Sequence, residues 1–385
     1  MKRKLRMGMI GGGQGAFIGA VHRIAANMDG LIELVCGALS SSSEKSIESG
    51  KKLFLPDDRN YSSYEEMIIR ESQLPAEQRM DFVSIVTPNH VHFAPAMMAL
   101  EYGFHVVIDK PITFTIEEAK LLKQKTDETG LSLLLTHTYA GYPMVKQAKQ
   151  LVKAGELGKI RKIMVEYPQG WLSRLSEKDG NQQAVWRTDP ARSGKSGCMG
   201  DIGTHAAHLA EYISGLKITK LCADLNIMVD GRALDDDGNV LLKFDNGANG
   251  VLVASQIAAG EENALKIRVY GEKGGLEWSQ QEPNTLILKW LDQPTQILRT
   301  GGHQLSSYAS FNSRTPGGHP EGYLEAFANL YRNFAFCVSA AIEGEDVPVE
   351  ALDYPSVDEG IRGMAFINNV VKSSLSNEKW TNFEV

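Results

Sequence analysis

The sequence has no excess of positive charge. Among its 385 residues, 40 are Lys or Arg and 47 are Asp or Glu, which gives a formal net charge of -7. A protein that binds DNA, RNA or an anionic membrane through phosphates needs a basic surface that releases counterions. We therefore expect no nucleic-acid partner. The hydrophobic fraction of 43% and the charged fraction of 23% are those of a globular chain and exclude a disordered one.

Long apolar runs and clustered cysteines are also missing. No stretch approaches the roughly 18 apolar residues of a membrane-spanning helix, so we expect no membrane partner. Cys36, Cys198, Cys222 and Cys337 lie far apart, without C-x-x-C or zinc-ligand spacing. This predicts no metal site, and buried thiols in a reducing compartment. The basic start precedes a glycine-rich run without a small-residue cleavage site, so we expect a cytoplasmic enzyme rather than a secreted one.

The length and the order of the apolar segments predict two domains. At roughly 100 to 200 residues per domain, this chain suits two. In the first third, short apolar runs alternate with amphipathic helical patterns, which is typical of a parallel sheet covered on both faces. The predicted strands are residues 5–10, 33–39, 82–86, 105–108 and 131–136. We therefore predict a doubly wound α/β domain, a Rossmann sheet, over residues 1–137.

The remaining residues, 138–385, have a different pattern. Long strand-like runs follow one another between residues 160 and 291, separated by turns such as Asp245-Asn246-Gly247 and residues 271–274. Such turns are typical of hairpins and call for antiparallel pairing. We predict a second α+β domain with an open, mainly antiparallel sheet. One face of such a sheet is often available to a partner subunit.

A glycine-rich turn after the first predicted strand is the strongest local signal. Gly11, Gly13 and Ala16 have G-x-G-x-x-A spacing, directly after a strand and at the start of a helix. Gly11 permits the tight turn, Gly13 lets the backbone approach a pyrophosphate, and small Ala16 allows close helix packing. The pattern predicts dinucleotide binding; a glycine-rich loop without a ligand is the alternative.

The end of the second predicted strand bears on the choice between NAD and NADP. Ser40 and Ser41 stand where an NAD-preferring domain often has an acidic residue that binds the ribose 2′-hydroxyl. No arginine follows that could hold a 2′-phosphate, and Lys45 is the nearest base. The lack of positive charge favours NAD without excluding NADP. These serines could also cap the next helix.

Two further segments follow predicted strands at their carboxyl ends, where doubly wound sheets bind ligands. Residues 87–92 follow the third strand, and Asp109, Lys110 and Pro111 follow the fourth. Both could be plain turns, because Pro and Asn are common turn formers. A lysine on this rim, close to a cationic nicotinamide, can instead polarise a substrate hydroxyl or carbonyl.

A further cluster combines a carboxylate with two histidines. Offsets of four and three residues put Asp201, His205 and His208 on one face of a predicted helix. His205, steered by Asp201, would be a general base that removes a hydroxyl proton. A metal site is the second interpretation, although no further ligand stands at metal spacing. A structural helix start capped by Asp201 is the third.

Together, these motifs resemble the Gfo/Idh/MocA family, which includes glucose-fructose oxidoreductase and inositol dehydrogenase. The resemblance rests on residues 11–16, 87–92, 109–111 and 200–205, and it spans nearly the whole chain. It implies a Rossmann domain followed by a domain with an open sheet. It also implies NAD(P)-dependent oxidation of sugars or polyols, and a homodimer or homotetramer through the C-terminal sheet.

The resemblance further implies roles for single residues. Lys110 would be the catalytic lysine, and Asp201 and His205 the catalytic pair. With the motifs above, it gives a predicted cofactor site made of Gly11, Gly13, Gln14, Ala16, Phe17, Ser40, Ser41, Lys45, Thr87, Pro88, Asn89, His92, Asp109 and Lys110. Two positions depart from the family: Asp109 replaces the usual glutamate, and His208 replaces an acidic residue. Both departures weaken the transfer of substrate identity more than that of reaction type.

The segment that precedes Asp201 is rich in side chains that recognise sugars. Aromatic faces suit the apolar CH patches of a sugar, and arginines suit a carboxylate, phosphate or sulfonate. A solvated loop packed by its tryptophans is the alternative. The predicted substrate residues are Tyr139, Trp171, Trp186, Arg187, Arg192, His205 and His319.

Two other functions fit the same motifs. Some relatives in the family oxidise C3 of a glycoside only transiently, eliminate the aglycone, add water and reduce the product again, which gives net hydrolysis with bound NAD. The basic segment would suit an anionic glycoside, such as a sulfonated or uronic sugar. A sugar-sensing regulator is less consistent with the presence of Lys110, Asp201 and His205.

Overall fold

The structure, a computed structural model, describes residues 1–385 apart from the side chain of Gln182. The chain divides into two compact units: Met1–Gly141 with Tyr323–Ile361, and Tyr142–Gly322 with Arg362–Val385. This differs from the predicted division at residue 137 in one main respect, since Tyr323–Ile361 groups with the first unit. Over the described part of the chain, no helix combines the length and apolarity that a bilayer crossing needs.

Strands and helices alternate in the N-terminal part of the chain, and strands dominate between residues 218 and 299. The strands are β1 (Leu5–Gly11), β2 (Ile32–Ala38), β3 (Phe82–Val86), β4 (His105–Ile108), β5 (Leu133–Leu135), β6 (Lys162–Pro168), β7 (Ile218–Asn226), β8 (Asp237–Phe244), β9 (Asn249–Ser255), β10 (Lys266–Tyr270), β11 (Gly274–Ser279), β12 (Thr285–Trp290), β13 (Gln296–Arg299) and β14 (Thr381–Asn382). The α-helices are α1 (Phe17–Asn27), α2 (Ser43–Lys52), α3 (Tyr64–Gln73), α4 (Phe93–Glu101), α5 (Ile116–Thr129), α6 (Pro143–Lys153), α7 (Gln182–Arg187), α8 (Pro190–Ser193), α9 (Thr204–Ser214), α10 (Ser307–Phe311), α11 (Tyr323–Glu343) and α12 (Val357–Ser374).

The first unit is built on a parallel sheet, in which the described residues form five strands in the order β2-β1-β3-β4-β5. Every residue of β3 and β4 is buried, as expected of strands covered on both faces. The predicted doubly wound sheet is confirmed. Because the strands run in one direction, the segments that follow them meet at one edge of the sheet.

Short-range signals set the ends of two helices in this unit. Helix α5 begins with a capping box, in which the side chains of Thr115 and Glu118 each accept the other's backbone N–H, and it ends at Gly130 with a φ of +68°. Helix α3 is not among the helices that the sequence predicts. This helix begins at Ser63, whose side chain accepts the N–H of Glu66, so the same Ser-x-x-Glu spacing was available as a signal.

Helix α11 explains why Tyr323–Ile361 belongs to the first unit. It packs against α1, and its buried Tyr331 hydroxyl lies 2.7 Å from His22 Nδ1 and 2.8 Å from Ser84 Oγ. The sequence predicts the helix at residues 323–343 but not its neighbour. An amphipathic pattern shows which face of a helix is buried, not which element covers it.

The second unit is built on a sheet whose described residues form nine strands in the order β13-β12-β11-β10-β6-β9-β8-β7-β14. The strands pair antiparallel except for β6 and β9, which are parallel. Both predicted hairpins form: residues 245–247 lie in the turn from β8 to β9, and residues 271–273 connect β10 to β11, which begins at Gly274. Strand β13 was missed because this edge strand is mostly exposed and has no apolar alternation.

Candidate active site

The loop between β1 and α1 forms a cradle whose centre has no room for a side chain. A Cβ atom on Gly13 would lie 2.6 Å from the Leu39 carbonyl oxygen and 2.7 Å from Ser49 Oγ. Gly13 donates its N–H to the Leu39 carbonyl oxygen over 3.0 Å, which ties the loop to the end of β2. Gly11 has a φ of +79°, in the region that favours glycine. The N-cap residue Ala16 offers no side-chain acceptor to the first N–H groups of α1, and such groups bind anions well.

A cavity of about 400 Å³ opens beside this loop, on its α1 and α2 side. Its lining residues are Gly12, Gly13, Gln14, Gly15, Ala16, Phe17, Ala20, Arg23, Ser49, Lys52 and Leu53. The lining thus includes four predicted cofactor residues, at positions 13, 14, 16 and 17. Ser40, Ser41 and Lys45 are not part of it; Ser40 is half-buried and the other two are exposed. The cavity therefore adjoins the predicted phosphate site rather than the predicted ribose site.

Lys110 follows β4 on a backbone that is fixed from its N-terminal side. The Asp109 carboxylate accepts the N–H of Lys110 over 2.9 Å and the hydroxyl of Thr136 over 2.9 Å. Thr136 itself follows β5, the neighbouring strand, and donates its N–H to the Ile108 carbonyl oxygen. A carboxylate one methylene shorter than the family's glutamate therefore still anchors the lysine segment. The Lys110–Pro111 peptide bond is cis.

His92 is buried, with 1% of its surface exposed. Its Nδ1 lies 2.7 Å from the Pro111 carbonyl oxygen, and its Nε2 lies 2.8 Å from the Thr87 carbonyl oxygen. Burial lowers the pKa of His92, while Asp109 and the two carbonyl oxygens act in the opposite direction. This placement favours a role between the two segments over direct contact with a cofactor. Of the neighbouring predicted residues, Thr87 and Pro88 are half-buried and Asn89 is buried.

Asp201 and His205 lie on two different kinds of helical turn. Asp201 belongs to a π-helical turn, Met199–Gly203, and His205 to the first turn of α9. The prediction of one regular helix therefore holds for His205 and His208 but not for Asp201. A π turn holds more residues than the 3.6 of an α-helix, and such turns are frequent at functional sites.

The carboxylate of Asp201 has defined side-chain partners. Its Oδ2 accepts a hydrogen bond from Arg187 Nε over 3.0 Å and another from Gln256 Nε2 over 2.9 Å. His205 is 8% exposed, and its ring centroid lies 6.2 Å from that of Tyr167. The Asp201 carboxylate, held by Arg187 and Gln256, thus lies about one helical turn before the buried imidazole of His205.

Two other interpretations of Asp201 are a helix cap and a metal ligand. The Asp235 carboxylate, not that of Asp201, caps the start of this helical segment, because it accepts the N–H groups of Gly197 and Met199 over 2.8 Å each. Burial raises the pKa of Asp235, against the effect of these N–H groups. Among the described residues, no group of three or more His, Cys, Asp or Glu side chains is placed to hold a metal ion.

Trp171, Trp186 and Arg187 lie together beside Asp201. The Arg187 Cζ atom is 4.2 Å from the ring centroid of Trp186 and 5.8 Å from that of Trp171, which is cation–π geometry. Its Nη1 donates to the side-chain oxygen of Gln183 over 2.7 Å. The guanidinium of Arg187 is therefore engaged by a carboxylate, an amide and indole faces.

Two further residues of this cluster, Gln169 and Gln256, are not among the predicted site residues. Gln169 accepts the indole N–H of Trp171 over 2.9 Å, and Gln256 donates to Asp201. They follow β6 and β9, which are paired in parallel, so both stand at the same edge of the sheet. Sequence alone does not bring Gln169 and Gln256 together, because the predicted hairpin turns indicate antiparallel strands and give no sign that β6 and β9 pair in parallel.

Three other predicted substrate residues lie outside this cluster. Arg192 is half-buried in α8, and His319 is exposed, with its Nδ1 3.2 Å from the Pro316 carbonyl oxygen. Tyr139 belongs to the first unit and is 5% exposed. Their substrate roles stay predictions.

Two family models match the chain. The oxidoreductase family with an NAD-binding Rossmann fold matches residues 5–137, and the GFO/IDH/MocA C-terminal domain matches residues 145–277. The chain belongs to the GFO/IDH/MocA family. The predicted family and the predicted NAD-binding domain are thereby confirmed.

Several known proteins are similar over the whole length. An oxidoreductase of Sinorhizobium meliloti is 44% identical, with 99% of this chain and 100% of that chain covered and a TM-score of 0.88. An inositol dehydrogenase homolog of Azotobacter vinelandii, solved with NAD⁺, is 34% identical, with 100% and 98% covered and a TM-score of 0.94. The same homolog was also solved with NADH and myo-inositol, at 33% identity and a TM-score of 0.90. The uncharacterized oxidoreductase YfiI of Bacillus subtilis is 32% identical, with 100% of this chain and 98% of the relative covered.

The residues of this GFO/IDH/MocA protein fit an NAD site on physical grounds. Gly13 has no side chain and no room for one, so a pyrophosphate can approach the backbone of the loop. The first turn of α1 has N–H groups that no side chain caps and that can bind the phosphates. Phe17, at the first position of α1, is 70% exposed and can present an aromatic face. These residues would hold the phosphates, while Lys110 stands at the edge of the same sheet.

Proposed function

We propose that the protein is an NAD-dependent dehydrogenase that transfers a hydride between a hydroxyl-bearing carbon of a sugar or polyol and the nicotinamide. One observation carries the proposal: Lys110 follows β4 at the ligand-binding edge of the NAD-binding sheet, and its backbone is anchored by Asp109. The Azotobacter relative, solved with NADH and myo-inositol, supports a polyhydroxylated substrate. NADP stays possible as a second cofactor, because Ser40 and Ser41 do not repel a 2′-phosphate.

In the proposed mechanism, three residues position the substrate, remove the proton of its hydroxyl group and stabilise the charge that develops on the oxygen. NAD, when bound, supplies the hydride acceptor. His205 takes the proton from the substrate hydroxyl, and Asp201 fixes the substrate and the imidazole. The Lys110 ammonium stabilises the negative charge that develops on the oxygen. The buried position of His205 keeps bulk water away from the proton transfer.

The contacts of Arg187 favour an uncharged substrate. From the sequence, this arginine suits a carboxylate, phosphate or sulfonate of the substrate, but its Nε donates to Asp201 and its Cζ lies 4.2 Å from the ring centroid of Trp186. An anionic sugar would have to compete with Asp201 for the same guanidinium. Trp171 and Gln169, which are hydrogen-bonded to each other, offer an aromatic face and an amide, as neutral sugars require.

The test is a substrate screen with two readouts. Purified protein is incubated with NAD⁺ and a panel of cyclic polyols, neutral sugars and uronic acids, and the absorbance of NADH is followed. Aryl glycosides are assayed in parallel for release of the aryl group. We expect NADH to accumulate with a neutral polyol or sugar. Release of the aryl group without net NADH formation would instead indicate the redox-neutral glycosidase.

Substitution of Lys110 tests the assigned role. Lys110→Ala should lower kcat by roughly 10² to 10³-fold, because a positioned donor on the developing oxyanion is lost, while the Kd for NAD⁺ changes little. Lys120→Ala is the matched control, since Lys120 is an exposed lysine in the same unit and should behave as the wild type. A turnover of Lys110→Ala close to that of the control would reject the role.

We also propose that copies of the chain associate through the outward face of the second sheet. Leu241 is 46% exposed, and the half-buried Val251 and Met164 lie next to it across β9 and β6. Light scattering should give a dimer or tetramer mass. Leu241→Lys should shift this mass toward the monomer; a monomeric wild type would contradict the proposal.

A further inference from the structure

His92 connects two segments of the first unit that come from neighbouring strands. It ends the turn that follows β3, and its imidazole reaches Pro111 in the segment that follows β4. The second ring nitrogen reaches back to Thr87, the first residue after β3. Both partners are backbone carbonyl oxygens, at 2.7 and 2.8 Å. The ring is therefore a bridge with two short polar contacts in a site where only 1% of the residue is exposed.

The chemistry of the two contacts restricts the protonation state of the ring. A carbonyl oxygen only accepts hydrogen bonds, and a neutral imidazole has one N–H and one bare nitrogen. In the neutral form, one nitrogen lone pair would face a carbonyl lone pair at hydrogen-bond distance. Both contacts are hydrogen bonds only in the imidazolium form, in which both nitrogens donate.

The groups near His92 shift the pKa of its imidazole in opposite directions. Burial, the largest influence, lowers the pKa of His92 on balance together with the neighbouring His90, although Asp109 and the carbonyl oxygens of Pro111 and Thr87 act to raise it. Asp109 is the carboxylate that accepts the N–H of Lys110. Against the effect of burial, a carboxylate and two carbonyl dipoles aimed at the ring nitrogens favour the imidazolium form.

The bridge completes the fixation of Lys110. On the N-terminal side, Asp109 holds the Lys110 N–H; on the C-terminal side, His92 holds the carbonyl of Pro111, the next residue. The lysine backbone is thereby pinned on both sides. Displacing a reacting group by about 1 Å can cost roughly 10²-fold in rate, so these anchors bear on catalysis even though they touch no substrate.

We propose that His92 is a positioning residue, which as an imidazolium ties the Thr87 segment to the Lys110–Pro111 segment and so sets the position of the Lys110 ammonium. The inference rests on the proposed function, since it needs Lys110 to act in turnover. Direct binding of NAD by His92, the role expected from the sequence, is replaced by this action through Lys110.

A double-mutant cycle with Lys110 tests the proposal. His92→Gln keeps one donor and one acceptor but cannot donate at both ends. It should lower kcat by roughly 10 to 100-fold, with less than about a threefold change in the Kd for NAD⁺. His90→Gln, which replaces an exposed histidine of the same turn, is the matched control and should keep wild-type turnover. In the Lys110→Ala background, His92→Gln should cost almost nothing further, because its effect passes through the lysine.

The cycle separates the two hypotheses. If Lys110→Ala alone keeps wild-type turnover, the role of Lys110 fails and the positioning role of His92 fails with it, whereas the proposed function itself fails only if no substrate of the screen yields NADH. If Lys110→Ala is impaired and His92→Gln lowers turnover by the same factor in both backgrounds, the positioning role fails while the function stands. Equal losses in kcat and in NAD⁺ affinity would point to direct cofactor contact and would also overturn the inference.

Spectroscopy on the wild type gives a readout that does not depend on the folding of His92→Gln. With ¹⁵N-labelled histidine, the signals of His92 are those that disappear in His92→Gln or, if that variant does not fold, those that remain after substitution of each of the other eight histidines in turn. We expect both ring nitrogens to carry protons at neutral pH, with and without NAD⁺, because the two carbonyl acceptors at hydrogen-bond distance outweigh the effect of burial on this ring. One bare nitrogen at neutral pH would refute the imidazolium bridge.

Discussion

Replacing Arg232 by methionine should destabilise the second unit far more than the same replacement at an exposed arginine. The Arg232 side chain is 2% exposed. It donates from Nε to Glu177 over 3.1 Å, from Nη1 to Asp236 over 3.2 Å and from Nη2 to the Arg174 carbonyl oxygen over 2.7 Å. Methionine can occupy much of the same volume but leaves two carboxylates without their cation.

The expected loss of stability depends on the hydrogen bonds and the solvent contact that each carboxylate keeps after the substitution. Removing one partner of a buried ion pair costs about 3–5 kcal/mol. Asp236 keeps the N–H groups of Met228 and Val229, and the Glu177 side chain is already 15% exposed. We therefore expect the lower end, about 3 kcal/mol, which corresponds to a fall in Tm of roughly 6–12 °C for a unit of this size.

Thermal unfolding followed by circular dichroism measures the effect. Arg161→Met is the control, because the Arg161–Glu272 pair is 66% and 44% exposed and should contribute less than about 1 kcal/mol. The pH dependence adds a second check. Burial alone would raise the pKa of Glu177, but hydrogen bonds, above all from Arg232, lower it on balance. The stabilisation is therefore present above the ordinary glutamate value and is lost as the pH falls through the lowered pKa.

The difference in Tm between the wild type and Arg232→Met should accordingly shrink as the pH falls to about 4 and below. Two results would refute the reasoning: a loss no larger than that of Arg161→Met, or a loss that stays constant down to acid pH.

Two further predictions concern the first unit. Tyr331→Phe removes the hydroxyl that contacts His22 and Ser84 and should lower the free energy of unfolding by about 1–3 kcal/mol in urea titrations; unchanged stability would show that the hydroxyl is dispensable. Gly13→Ala would place a Cβ 2.6 Å from the Leu39 carbonyl oxygen and should weaken NAD⁺ binding about tenfold, the equivalent of about 1.4 kcal/mol of strain, in a fluorescence titration. An unchanged Kd would show that the loop is not a tight cradle.

Features set by neighbouring residues could be predicted from the sequence. The turn at Gly11 and Gly13, the capping box of Thr115 and the strands of the first sheet depend on local geometry and apolar runs. The position of Lys110 at the edge of that sheet follows as well, because strand direction alone decides which ends meet. The predicted helix at residues 323–343 also has its observed bounds.

Features set by contacts between distant residues could not be predicted. The charge of Arg187 is visible in the sequence and predicts a substrate role, while the carboxylate that binds it, fourteen residues later, is visible only as a member of another motif. Gln256 reaches Asp201 through the parallel pairing of β6 and β9. The role of His92 depends on the direction of two carbonyl groups, which residue types do not determine.

Isotope transfer tests the central claim most directly. The protein is incubated with NAD⁺ and the best neutral polyol or sugar of the screen, deuterated at its carbon-bound positions, and the nicotinamide product is analysed by mass spectrometry. Our account predicts reduced nicotinamide that is one mass unit heavier than with unlabelled substrate and that forms far more slowly with Lys110→Ala. Oxidised product formed without deuterium on the nicotinamide would contradict it.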